Sequence, residues 1–196
     1  MDRGGISMAE VCVFLAEGFE EIEGLTVVDL LRRAGIDTVT VSVGDTVRVT
    51  GSHGISVEAD CLLKQAKAGE ADLLVLPGGM PGTKNLAACE ALTELLKKSD
   101  GRGQRVAAIC AAPSVLGELG LLEGKKAVCY PGFEEKLRKA AVGKEAVVTD
   151  GRITTSRGMG TAIAFGLELI SLLRGKETSE KVRESILYIL ETPQKC

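Results

Sequence analysis

The sequence predicts an α/β protein, with a mostly parallel central sheet and helices packed on both of its faces. Three observations carry that expectation. Short, nearly continuous apolar runs alternate with longer stretches of helical periodicity, the pattern of parallel strands joined by crossover helices. Apolar residues make up 45% of the chain, yet aromatics only 3% with no Trp. The core must therefore come from Val, Leu, Ile and Ala, which suits helices laid on a parallel sheet. At 196 residues the chain also has the length of one domain with a sizeable core.

The elements follow in order. Residues 10–16 form an apolar run of the kind buried on both faces, broken by Gly18. A helix comes next, with Glu20, Glu21 and Glu23 in its first turns, Arg32 and Arg33 in its last, and Gly35 as its stop. That charge order matches the helix dipole. Ile22, Leu25, Val28, Leu30 and Leu31 are expected to be its buried stripe. Residues 38–43 read as a second strand, and 47–58 as a hairpin with a glycine-rich tip at 51–54. A short helix is expected over 62–68. The strongest strand, 72–76, ends in Pro77, Gly78 and Gly79. A helix then runs to about Lys98, and a strand over 105–109 leads into Cys110 and a helix ending near Leu119. The last third alternates more weakly: a strand over 126–129, a short helix over 133–141, and a strand pair around Asp150-Gly151. A long helix follows Gly160, and another spans about 179–190.

No repeat or linker divides the chain. The expected organisation is a tail or alternative start over 1–7, one domain over 8–190, and a tail over 191–196. Residues 1–7 lack the apolar stretch of a secretion signal, and Met8 offers a second start. No apolar run approaches the roughly 18 residues of a membrane span. A net charge of −3, with no basic patch among aromatics, argues against nucleic acid and membrane surfaces as partners. The six cysteines contain no C-x-x-C, and there is one histidine. These counts remove the usual zinc spacings, so neither metal nor cofactor is expected. Scattered cysteines of this kind read as reduced thiols in a cytoplasmic protein, most of them small buried hydrophobes.

Ligands of such sheets bind beyond the carboxyl ends of the strands. Three strand ends here carry unusual residues. Cys110 follows a buried strand directly and precedes a helix with Pro113 near its first turn, as at a nucleophile elbow. The helix end is expected to favour thiolate over thiol. The Gly78-Gly79 pair allows close backbone approach, and its N–H groups suit an oxyanion; the same pair also serves as a plain tight turn. One of Glu20, Glu21 and Glu23 has the reach to meet the sulfur and carry a proton, although acids at a helix start also simply complement its dipole. His53, on the hairpin tip, is the sole candidate for Cys–His chemistry and otherwise a polar turn residue.

Four segments in order resemble the ThiJ/PfpI superfamily: Glu-Gly-Phe-Glu-Glu-Ile-Glu-Gly at 17–24, Leu-Pro-Gly-Gly at 76–79, Ala-Ile-Cys-Ala-Ala-Pro at 108–113 and Thr-Ser-Arg-Gly-Met-Gly-Thr at 155–161. They look most like its DJ-one-like branch, which includes bacterial protein and nucleic acid deglycase-like members, and the resemblance covers about residues 8–190. It implies a flavodoxin-like three-layer sandwich that forms a homodimer, with the site near the dimer interface. It implies that Cys110 is an easily oxidised nucleophile and that Glu23 is the carboxyl bonded to it. Gly79 and Ala111 would supply oxyanion N–H groups beside Gly78. Glu20, Arg33, His53, Tyr130 and Arg157 fall where relatives have pocket or interface residues.

The activities implied are glutathione-independent glyoxalase and deglycase, on a small aldehyde or glycated substrate, linked to oxidative stress; the alternative is a redox sensor or chaperone without turnover. Two departures narrow this. Ala111 follows Cys110 and no His lies beyond residue 53, which argues against the peptidase branch. Where one relative of the branch has a His before the Pro at 131, this chain has Tyr130, as some bacterial members do, which argues against a His-assisted proton step at that position.

Overall fold

The computed structural model describes residues 10–189, Asp100 by its backbone alone. The tails expected at 1–7 and 191–196, Met8, Leu190 and Cys196 lie outside the described residues. The central sheet has seven strands. From edge to edge they are β10 (Val147–Asp150), β11 (Ile153–Ser156), β7 (Arg105–Ile109), β6 (Leu73–Leu76), β1 (Val11–Leu15), β2 (Thr38–Ser42) and β5 (Cys61–Leu62). Only β10, paired with β11, is antiparallel. Two small pairs stand apart: the antiparallel hairpin β3 (Arg48–Thr50) with β4 (Ser56–Glu58), and the parallel β8 (Lys126–Ala127) with β9 (Ala141–Val142).

Alternation along β1 divides the core into two layers. Cys12, Phe14 and Ala16 face α2 (Gly82–Ala88), α3 (Glu90–Ser99) and α4 (Pro113–Glu118). Val11, Val13 and Leu15 face α1 (Glu21–Arg33), α5 (Ala162–Arg174) and α6 (Lys176–Ser185). Both faces of the strand are covered, which is why its sequence is apolar at every position. Phe14 is wholly buried, so Phe14→Ala is expected to cost about 3–5 kcal/mol through lost transfer energy and the cavity left behind.

Several expected elements differ. On α1 the buried apolar residues are Val27, Val28, Leu30 and Leu31, whereas Ile22 and Leu25 are 48% and 36% exposed. Periodicity reports an apolar stripe; it does not say which part of the stripe meets the sheet. No helix forms over 62–68. Asp60 is tied to Thr40 and Arg32, which sets Cys61 opposite Val41 as an edge strand, and the Gln65 side chain then turns the chain by accepting from Leu62 N–H. The helix expected up to Lys98 is two helices, α2 and α3, broken at Cys89 by its extended ψ of 98°. Residues 133–141 make one 3-10 turn (Glu134–Lys136) before entering β9. The last described helix, α6, begins at Lys176, immediately after Gly175 at a φ of 83°, and ends at Ser185.

The carboxyl ends of β7, β6 and β1 are neighbours. From β1 the chain builds outward to β2 on one side and β6 on the other, so the crevice of the fold opens at this place.

Candidate functional site

Cys110 ends β7 with a φ of 64°, a left-handed conformation that costs a non-glycine residue about 1–3 kcal/mol. Two hydrogen bonds pin it there. Its N–H donates to Ser156 O at 3.0 Å, and its carbonyl accepts from Tyr130 N–H at 2.8 Å. The turn aims the side chain away from β7. Pro113 opens α4 at a position where a missing N–H costs nothing.

Glu23 meets the thiol from α1. Glu20 caps that helix, its Oε2 accepting from Glu23 N–H at 2.7 Å. Glu23 itself is 1% exposed; its carboxyl hydrogen-bonds Cys110, and its Oε2 accepts from Gly78 N–H at 2.9 Å. Gly78 is where the structure requires the absence of a side chain. A Cβ there would lie 2.6 Å from both Cys110 Cβ and Glu23 Oε2. Gly79, at a φ of 91°, and Ala111 turn their N–H groups onto the sulfur. The structure thus brings together Cys110, Glu23, Gly78, Gly79 and Ala111.

Burial pushes the Glu23 carboxyl up to about 7. The Cys110 and Gly78 hydrogen bonds oppose this, and the charge of Glu20 adds to it. Burial and the adjacent Glu23 carboxylate push the Cys110 thiol up to about 12, against the pull of the Ala111 and Gly79 N–H groups. The expectation that the helix end makes Cys110 an acidic thiol is therefore corrected. Burial also pushes Cys12 up to about 12 and Cys129 to about 11. Cys110 differs from them in having a buried carboxyl bonded to it that can hold its proton. When the proton is on Glu23, the carboxylate's repulsion vanishes and its O–H donates to the sulfur.

Tyr130, half exposed, sets its ring beside Gly158, where a Cβ would sit 3.2 Å from the ring and 3.9 Å from Glu23 Oε1. Gly158 thus separates the ring from the Glu23 carboxyl. His53 bonds neither member of that pair. Its Nδ1 lies 2.9 Å from Glu21 Oε2, and its backbone N–H donates to Glu21 Oε1 at 2.8 Å. Glu21 is 2% exposed; burial raises its pKa, but these bonds and the Ile55 N–H outweigh it and hold the carboxyl down at about 2. Glu21 fastens the hairpin to the start of α1, and that role was missed. So were Gly158 and the Ser156 carbonyl, although both lie in the 155–161 motif. Arg33 is at the far end of α1, ~15 Å from Glu23 by helical rise, where it pairs with Asp29. Arg157 approaches the Lys144 carbonyl at 3.5 Å, and its charge acts on Glu134 and Cys129.

A family model described as the DJ-1/PfpI family matches residues 9–172. Protein DJ-1 homolog B of Arabidopsis thaliana is 44% identical over 178 residues, 90% of this chain; the chain spans only 41% of that relative's length. The glutathione-independent glyoxalase DJR-1.2 of Caenorhabditis elegans is 33% identical over 168 residues, covering 85% of this chain and 89% of the relative. Among solved structures, oxidised Toxoplasma gondii DJ-1 superposes with a TM-score of 0.89 at 40% identity, over 93% of this chain and 100% of that one. The sheet order and the two helical layers are those of this flavodoxin-like α/β fold.

Proposed function

This chain belongs to the DJ-1/PfpI family, and from that premise we propose that it detoxifies reactive carbonyls through Cys110 and Glu23, as a glutathione-independent glyoxalase or deglycase. The observation that carries this reading is the buried Glu23 carboxyl, bonded to Cys110 and pushed to about 7. A group poised near neutral pH both gives and takes a proton during turnover.

With methylglyoxal, the Cys110 thiolate adds to the aldehyde carbon. A C–S bond forms and the carbonyl electron pair moves to oxygen, which takes the proton from Glu23. The Glu23 carboxylate then removes the hydrogen from that carbon, and the electron pair moves onto the neighbouring carbonyl oxygen as an enediolate, which takes the proton of the first hydroxyl. Glu23 returns its hydrogen to the neighbouring carbon as the first oxygen re-forms a carbonyl. The product is a lactoyl thioester, which water cleaves to lactate and free thiol. The hydride equivalent stays within the substrate, so the sequence uses no external oxidant or cofactor. The Gly79 and Ala111 N–H groups bond the sulfur, which becomes the atom next to the carbon that carries the oxyanion, so a short shift suffices for them to meet that oxygen. Lactate formation from methylglyoxal by wild type beside Cys110→Ala and Glu23→Gln tests this. Cys110→Ala should be inactive and Glu23→Gln reduced on the order of 100-fold or more; full activity of Cys110→Ala overturns the mechanism.

One observation favours a second reading, that of a redox sensor or chaperone whose Cys110 oxidises without turnover. The Toxoplasma structure is of an oxidised form, and a protonated Glu23 would hydrogen-bond a sulfinate. Mild peroxide followed by peptide mass spectrometry should then modify Cys110 ahead of Cys61, Cys89 and Cys129. A homodimer goes with either reading: Ile22 and Leu25 leave an uncovered apolar strip on α1 beside the site. Sedimentation of wild type and Leu25→Glu tests that, and the same proposal places the protein in the cytoplasm.

A further inference from the structure

Glu20, Glu21 and His53 each bring one ligand atom to within 4.8 Å of the others. They come from two elements far apart in sequence, the start of α1 and the tip of the β3–β4 hairpin. Local Cys and His spacings, on which the expectation of no metal rested, do not include them. From this arrangement we infer that the three residues form a binding site for one divalent cation of the Zn²⁺, Ni²⁺, Co²⁺ or Cu²⁺ class, separate from the Cys110–Glu23 pair.

The donor set defines the class. One imidazole nitrogen with two carboxylate oxygens suits these borderline ions, whereas Mg²⁺ and Ca²⁺ favour oxygen throughout. The spacing from His53 to each carboxylate is compatible. Bonds of ~2.1 Å place two ligands of one ion ~3.0 Å apart at a right angle and at most ~4.2 Å apart. His53 Nδ1 lies 2.9 Å from Glu21 Oε2, at about the right-angle separation, and 3.9 Å from Glu20 Oε1, inside that span. The ion would take the place of the proton between Nδ1 and Oε2.

Each carboxylate is also held in position by its second oxygen. Glu20 Oε2 accepts from Glu23 N–H and Glu21 Oε1 from His53 N–H, which turns Glu20 Oε1 and Glu21 Oε2 toward the imidazole; the Ser52 hydroxyl also donates to Glu21 Oε2, at 3.4 Å. Outer hydrogen bonds of this kind orient metal ligands. The two carboxylates are poorly solvated, with side-chain exposures of 13% and 2%. Among the described residues neither has a Lys or Arg partner. The His53 side chain is 69% exposed, so an ion can enter and water can complete its shell.

The test is calorimetric titration of the metal-free full chain with Zn²⁺ and Ni²⁺, with no turnover involved, so its outcome is independent of the carbonyl chemistry. Wild type and Cys110→Ser should each bind one equivalent. His53→Ala and Glu20→Gln should bind at least about tenfold more weakly; Gln keeps the capping acceptor for Glu23 N–H, so the helix start survives. Co²⁺ bound to wild type should lack the intense near-ultraviolet band of a thiolate ligand. Binding lost in Cys110→Ser but kept in His53→Ala would place the ion on the thiol and overturn the inference. Absence of saturable binding by wild type would overturn it too, leaving the cluster as a hairpin fastener.

Discussion

The Glu23 carboxyl hydrogen-bonds the Cys110 thiol in a space where Glu23 is 1% exposed, and the two groups titrate as one unit. The Glu23 carboxyl is pushed up to about 7 and the Cys110 thiol up to about 12, each partly by the other. Between those values one proton is shared, and the fraction of time it spends on Glu23 is the time the sulfur is a thiolate.

Alkylation of Cys110 should therefore rise with pH through about 7, below the ~8.5 of an ordinary thiol. Glu23→Gln has no carboxylate to accept the proton, so this inflection should disappear. Iodoacetamide rates followed by intact mass across pH 5–10 give the comparison, and identical profiles for the two proteins would refute the shared proton.

Stability should show the opposite side of the same shift. The folded pKa of Glu23 is raised from 4.5 to about 7. Its contribution is full below 4.5 and is lost as pH rises through about 7. The 2.5-unit shift corresponds to about 3 kcal/mol. Glu23→Gln should thus melt above wild type at pH 8 and gain little or nothing at pH 4.5, as measured by thermal denaturation at both values.

Gly78→Ala should damage the site more than the fold. The new methyl would lie 2.6 Å from Cys110 Cβ and Glu23 Oε2, separating the pair. Overpacking of this kind costs about 1–3 kcal/mol, while loss of the shared proton should lower turnover on the order of 100-fold. Melting temperature and lactate production on the same preparation separate the two effects.

Tyr130→Ala should change substrate affinity without changing thiol chemistry. The backbone N–H that holds the Cys110 carbonyl survives the substitution, whereas the ring beside Gly158 is lost. A higher KM with an unchanged alkylation profile is the expected result. A shifted profile would mean that the ring, rather than the backbone, sets the elbow.

Glu21→Ala should release the hairpin. Its carboxylate accepts from the N–H groups of His53 and Ile55 and from the His53 ring. Without it the amides of 53 and 55 should exchange much faster in hydrogen–deuterium experiments, while those of β6 and β7 stay protected.

The elbow was legible because its signals are local: an apolar strand, a sharp turn, Pro113. Gly78 and Gly79 were legible for the same reason. The acidity of Cys110 was misread because the helix end is visible in sequence, whereas burial and the neighbouring carboxylate are properties of the assembled fold. Choosing Glu23 over Glu20 and Glu21 required the family motif, since all three lie within one turn. Glu21 with His53, and Gly158 with Tyr130, are contacts across 32 and 28 residues (53 minus 21, 158 minus 130), with no local pattern. The helices expected at 62–68 and 133–141 gave way to tight turns, the first tied by the Asp60 and Gln65 side chains.

The left-handed backbone of Cys110 has one more consequence, in time rather than in space. The bonds that pin it come from Tyr130 and Ser156, both later in the chain. A ribosome delivers Glu23, Gly78 and the cysteine itself first, and the two anchors 20 and 46 residues afterwards (130 and 156 against 110). Until both are made, the cysteine lacks the two hydrogen bonds that hold it. Its left-handed conformation has both of its backbone anchors only once Tyr130 is in place and β11 has paired with β7.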